Sequence, residues 1–254
     1  MSTKDHTAVD GLFVETWGRG TPVVLVHGSL AIGVEEWDAQ RPLAERGFSL
    51  RVLDRRGYGR SPGAAGEDFL ADAEDVAALL GDGAHLVGHS YGGLGAMLAA
   101  ARRPDATLSL TLLEPAAAVV AEHDESWRTL VADLRDLWGR SDLPDHDWVV
   151  QFLKAVGSDP DQFPPELLAA TAQRHERQRR GRPVFDADLP LAELAAAPFP
   201  KLVVSGGHHR GFDAMCHDLA RRISGAYAVV EGAGHEIQFV GDPLNARLLD
   251  LWGR

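Results

Sequence analysis

One pentapeptide in the chain has both the residue type and the setting for nucleophilic chemistry: Gly88-His89-Ser90-Tyr91-Gly92. It closes an apolar run, Ala84-His-Leu-Val-Gly-His89, and opens an alanine-rich one. A serine flanked by glycines at a strand-to-helix turn sits in a strained backbone that only small neighbours allow. The turn lifts the hydroxyl above the sheet, at a helix N-terminus whose dipole favours developing negative charge. Serine is a poor nucleophile until a base takes its proton, so a histidine is required. Of the eleven histidines, His235 stands out. It lies in Gly232-Ala-Gly-His235, just past the last strand-like run. That is the C-terminal edge of the sheet that also carries Ser90, where ligands bind in open α/β folds.

A sheet must hold these two residues. Residues 21–27, 48–54, 84–89 and 108–113 are short apolar runs rich in β-branched residues and read as buried strands. Residues 67–80 have helical apolar spacing with acidic residues in the first turn, and 93–103 is an alanine-rich helix. The rhythm resumes with strands at 201–205 and 226–230 and helices at 211–223 and 236–252. Apolar strands alternating with helices predict an α/β fold, a mostly parallel sheet with helices on both faces. Between them, residues 116–197 break the pattern with Trp127, Trp138, Trp148, clustered prolines and an arginine-rich run from Arg174 to Arg182. The expected organisation is a core of 1–115 and 198–254, with 116–197 as a helical cap, or lid, inserted between two core strands.

Composition narrows the partners. A net charge of −12 over 254 residues argues against nucleic acid or an anionic membrane surface. The single cysteine, Cys216, forms no internal disulfide and reads as a small buried hydrophobe, in keeping with a reducing, cytoplasmic setting. The polar start, MSTKDHTAVDG, lacks the apolar stretch of a secretory leader. His208-His209 is a poor metal signal, because adjacent histidines rarely point at one ion. Neither metal nor cofactor is expected.

His27-Gly28, Asp54-Arg-Arg-Gly-Tyr-Gly-Arg-Ser61, Gly88-His-Ser-Tyr-Gly-Gly93 and Gly232-Ala-Gly-His235, in that order, resemble the α/β-hydrolase superfamily. The resemblance covers nearly the whole chain and is weakest over 116–197. It implies Ser90 as nucleophile, His235 as base, and an oxyanion hole made by the backbone N–H groups of Ser29 and Tyr91. The third triad member departs from the pattern. Where the resemblance sets an aspartate in a Gly-x-x-Asp turn, this chain reads Ser205-Gly-Gly-His-His209. Two carboxylates could replace it: Glu114, ending the run LTLLEPA, and Asp213, a few residues past the missing aspartate. Glu114 is preferred, since a carboxylate at a buried strand end needs a partner and a histidine N–H supplies one.

The implied activity is hydrolysis of a carboxylic ester, lactone or thioester, with a small acyl compound as substrate and an acyl-serine intermediate. Carbon–carbon bond hydrolysis or a perhydrolase activity could use the same site. A reading of another class is a non-catalytic small-molecule sensor on this fold.

Overall fold

The computed structural model describes residues 11–253. The polar start, read above as lacking a secretory leader, falls almost wholly outside them. Seven strands form one sheet: β1 (Val14–Gly18), β2 (Thr21–Val26), β3 (Phe48–Leu53), β4 (Ala84–His89), β5 (Thr107–Leu113), β6 (Lys201–Ser205) and β7 (Ala226–Val229). Their order is β1-β3-β2-β4-β5-β6-β7. Among the described residues, only the β1–β3 pair is antiparallel.

Alternate residues of one strand feed opposite faces. Val24 and Val26 enter the larger hydrophobic cluster, while Val23 and Leu25 enter a second one across the sheet. Helices cover both faces: α1 (Gly33–Trp37), α2 (Phe69–Leu79), α3 (Ser90–Arg102), then α4 (Glu125–Trp138), α5 (Asp145–Ala155), α6 (Pro165–Arg179) and α7 (Leu191–Ala196) between β5 and β6, and finally α8 (Arg210–Arg222) and α9 (Asp242–Leu251). None of them is long and apolar enough to cross a membrane. The β5–β6 connection carries a small core of its own, built from Leu137, Trp148, Val149, Leu153 and Ala172 together with Leu30.

Three elements differ from the sequence reading. β1 was missed because Glu15 and Gly18 interrupt its apolar pattern; it pairs along an edge and needs only one buried face. The helix expected over 236–252 is broken. A 3₁₀ turn, Ile237–Val240, ends at Gly241, whose φ of 66° and ψ of −109° suit glycine alone, and α9 then starts at Asp242 with Pro243 in its first turn. The helix expected from residue 93 begins at Ser90, its glycines tolerated because the first turn is pressed against the sheet.

Along the chain, β3 adds to one side of β2 and β4 to the other, so the strand order reverses between β2 and β4. The crevice at such a switch point is where open α/β sheets bind ligands. The residues just past β2, β4, β5, β6 and β7 therefore frame the site.

Candidate active site

Ser90 has a φ of 49°, a left-handed conformation that costs a non-glycine residue about 1–3 kcal/mol. The extended His89 ends β4, and the chain turns at Ser90 straight into α3. The bend is possible because its neighbours lack side chains. A Cβ on Gly92 would strike the carbonyl oxygen of His27, and one on Gly88 would lie 2.8 Å from the Ala96 Cβ.

His235 comes to this bend from the far end of the chain. Its Nε2 lies 3.2 Å from Ser90 Oγ, and its Nδ1 lies 2.7 Å from Glu114 Oε2. A carboxylate oxygen only accepts, so Nδ1 carries the proton and Nε2 presents a lone pair to the hydroxyl. Glu114 is fully buried at the end of β5, with a φ of 35°, and its Oε1 accepts from the Gly206 N–H at 2.8 Å. Burial raises the pKa of its carboxyl, against the pull of the nearby His208 and the Gly206 N–H. Burial likewise drives His235 down to about 3, with the charge of His89 adding to the effect. Asp213 turns elsewhere and accepts from Ser205 Oγ at 2.6 Å. Of the two carboxylates considered, Glu114 meets the histidine.

Ser29 and Tyr91 both line the cavity beside Ser90. Tyr91 is the second residue of α3, so its N–H is among those with no acceptor inside the helix. The turn bearing Ser29 is held by groups that the sequence reading did not single out. Arg55 donates from Nε to the His27 carbonyl and from Nη2 to the Gly28 carbonyl, both at 2.9 Å. Its guanidinium also pairs with Glu67 at 2.6 Å and Asp72 at 2.9 Å, all three side chains at most 5% exposed. Glu67 in turn accepts from Ser29 Oγ and Tyr58 Oη. Removing Arg55 would strand two buried carboxylates, a loss of about 3–5 kcal/mol. Arg55→Met is expected to lower Tm by roughly 10 °C for a chain of this size, read by thermal melting. A drop under about 3 °C would mean that the carboxylates find other partners.

A second missed group ties the loops together. His89 Nδ1 lies 3.1 Å from Glu36 Oε1 and its Nε2 lies 3.0 Å from the His235 carbonyl. The Glu36 carboxylate and the His235 carbonyl both accept, so these two contacts favour a doubly protonated ring. Burial opposes that charge, but the Glu36 carboxylate outweighs it and raises the His89 pKa. Glu36 also accepts from the Gly28 N–H at 3.0 Å. One buried ion pair thus fastens the β2 turn, the Ser90 bend and the His235 loop.

With this geometry in view, the match to known proteins is direct. The family model described as alpha/beta hydrolase fold covers residues 21–242. The chain belongs to that family. Among curated relatives, a non-heme haloperoxidase of Rhodococcus erythropolis is 42% identical over 96 residues, 34% of either chain. A pimeloyl-[acyl-carrier protein] methyl ester esterase of Chromobacterium violaceum is 42% identical over 117 residues, 46% of this chain and 44% of that one. The chain thus spans less than half the length of these relatives. The crystal structure of an alpha/beta hydrolase from Sphaerobacter thermophilus aligns with a TM-score of 0.69 at 27% identity, covering 95% of this chain and 96% of that one.

Against the α/β-hydrolase pattern, the departure after β6 has a local explanation. Gly206 spends its N–H on Glu114, and His208 follows with Nε2 donating to the Val156 carbonyl at 2.9 Å and Nδ1 3.5 Å from Glu114 Oε1. His209 instead caps α8, accepting from the Gly211 N–H. The two adjacent histidines therefore do separate jobs. The arginine run is equally engaged: Arg174 pairs with Glu35 and Arg182 with Asp68. Trp127 and Trp138 wall the cavity, whereas Trp148 lies in the core of the β5–β6 connection, stacked on His175.

Proposed function

We propose that this protein is a serine hydrolase of carboxylic esters, lactones or thioesters, with Ser90 as nucleophile, His235 as base and Glu114 as the triad acid. The observation that carries this reading is the continuous chain of contacts from Glu114 Oε2 through His235 to Ser90 Oγ, at 2.7 and 3.2 Å. His235 would take the Ser90 proton as Oγ attacks the acyl carbon. The oxyanion would rest on the N–H groups of Ser29 and Tyr91, two fixed donors worth about 10²–10³ in rate each. His235 would then protonate the leaving alcohol or thiol and later activate the water that releases the acid. The esterase named among the relatives supports this substrate class.

Two apolar lobes meet at Ser90, His235 and Phe152. One runs under α4 and α5 between Trp127, Trp138 and Phe185. The other reaches Leu30, Phe163 and Phe239. We assign the first to the acyl group and the second to the leaving group, and residues 116–197 act as the cap that walls both. Rapid labelling of Ser90 by a fluorophosphonate, with turnover of nitrophenyl esters, is the expected result. Tight small-molecule binding with no labelling and no turnover would favour a sensor instead.

The buried histidine sets an acid limit. Burial disfavours its imidazolium, so the neutral base persists as pH falls, and kcat/KM for a neutral ester is expected to hold below the 6.5 of an ordinary histidine. An acid limb at 7 or above would mean that the charge on Glu114 outweighs burial.

A further inference from the structure

The lobe assigned to the acyl group contains a buried side-chain amide whose oxygen has no hydrogen-bond partner among the described residues. Gln178, on α6, is 2% exposed and lines this lobe, and its Oε1 has no hydrogen-bond partner. The hydroxyl, carboxyl and imidazole side chains of the lobe are engaged. Ser29 donates to Glu67, while Ser90, His235 and Glu114 bond one another. Tyr91 donates to the Arg182 carbonyl. Much of the remaining wall is aromatic, supplied by Trp127, Trp138, Phe152, Phe185 and Phe212. Such a wall would accept an alkyl or aryl chain anywhere along its length. A buried amide oxygen left without a donor is costly, and native interiors keep few of them. Where a substrate is to enter an apolar lobe, that orphan is a ready recognition point, because a ligand lacking the matching donor leaves the cost unrelieved.

We propose that Gln178 is the specificity residue of this lobe, receiving a neutral O–H or N–H donor borne by an otherwise apolar acyl chain. The proposal rests on the serine-hydrolase reading of Ser90. A primary amide offers one acceptor and, on its nitrogen, donors, so a hydroxyl or a carboxamide matches both. A carboxylate does not fit. No lysine or arginine lines the lobe, and a carboxylate entering it would lose its water with no cation in return. The preferred substrates are therefore hydroxyacyl or amidoacyl esters rather than plain fatty acyl or dicarboxylate esters.

The test uses nitrophenyl esters of about four to eight carbons, comparing plain chains with their ω-hydroxy and ω-carboxamide counterparts on the wild type, Gln178→Leu and Gln178→Met. The wild type is expected to favour a polar member over its plain counterpart by about tenfold in kcat/KM at the length that reaches Gln178. Both variants should lose that preference, the polar-to-plain ratio of kcat/KM falling to about one or below. Methionine keeps the length and flexibility of glutamine, so it carries the comparison should the leucine variant fold poorly. A wild type that prefers plain chains at every length, or a polar preference that survives in a folded variant, overturns the proposal with the hydrolase reading intact. An absence of turnover on every ester together with an unlabelled Ser90 overturns both.

Discussion

Ser90→Ala is expected to lower kcat for a nitrophenyl ester by about 10⁴–10⁶ and to abolish fluorophosphonate labelling, while the thermal melt stays unchanged. The substitution removes only Oγ. The Cβ that makes a φ of 49° costly remains, so the strain at the bend is the same in both proteins. The Oγ atom gives up one contact, to His235 Nε2, and that nitrogen faces the cavity where water replaces the hydroxyl. What remains is His235 beside two backbone donors, able to direct water at an ester without a covalent step. Such remnants retain a modest advantage over the uncatalysed reaction, about 10³–10⁴. A variant within about tenfold of the wild type would make Ser90 a bystander and pass the chemistry to bound water.

The parts of this site legible in the sequence are those fixed by local backbone chemistry. Gly88-His-Ser-Tyr-Gly92 announces its bend because the packing against His27 and Ala96 admits no side chain at either glycine. His235 was legible from its glycines, since a loop past the final strand must turn tightly to bring a ring back over the sheet. Glu114 was half legible. The strand ending in a carboxylate was visible, but the choice between it and Asp213 depended on how β5, β6 and α8 sit together. In the structure the Gly206 N–H engages Glu114 and the Ser205 hydroxyl engages Asp213, and Glu114 is the one that lies against His235. Neither Glu36 nor Arg55 could have been found by spacing. Glu36 reaches His89 across 53 positions, and Arg55 meets Glu67 and Asp72 from a different element. A single buried charge looks like any surface charge in a string of letters. Gln178 was invisible for the same reason, because an unsatisfied amide is a property of the enclosure and not of the helix that bears it.

Glu114→Gln is expected to cut turnover by about 10⁴, whereas Asp213→Asn leaves it within a few-fold. The glutamate accepts two hydrogen bonds from opposite sides, Gly206 N–H on Oε1 and His235 Nδ1–H on Oε2. An amide supplies one acceptor and one donor, so it can satisfy only one of these partners. If its oxygen stays with the Gly206 N–H, which cannot move its proton, the NH₂ faces His235 Nδ1. The ring then adopts the other tautomer, with Nε2 protonated and unable to accept from Ser90. Asparagine at 213 keeps an oxygen for the Ser205 hydroxyl and disturbs neither partner of His235. Stability separates this effect from unfolding. Burial disfavours the Glu114 carboxylate and raises its pKa, so holding the ionised group in the fold costs stability. That cost grows as pH rises and the ionised form is held, and a neutral glutamine escapes it. The variant should melt no lower than the wild type at pH 8 while remaining nearly inactive. Near-normal kinetics in the glutamine variant, or a comparable loss in Asp213→Asn, would remove Glu114 from the mechanism.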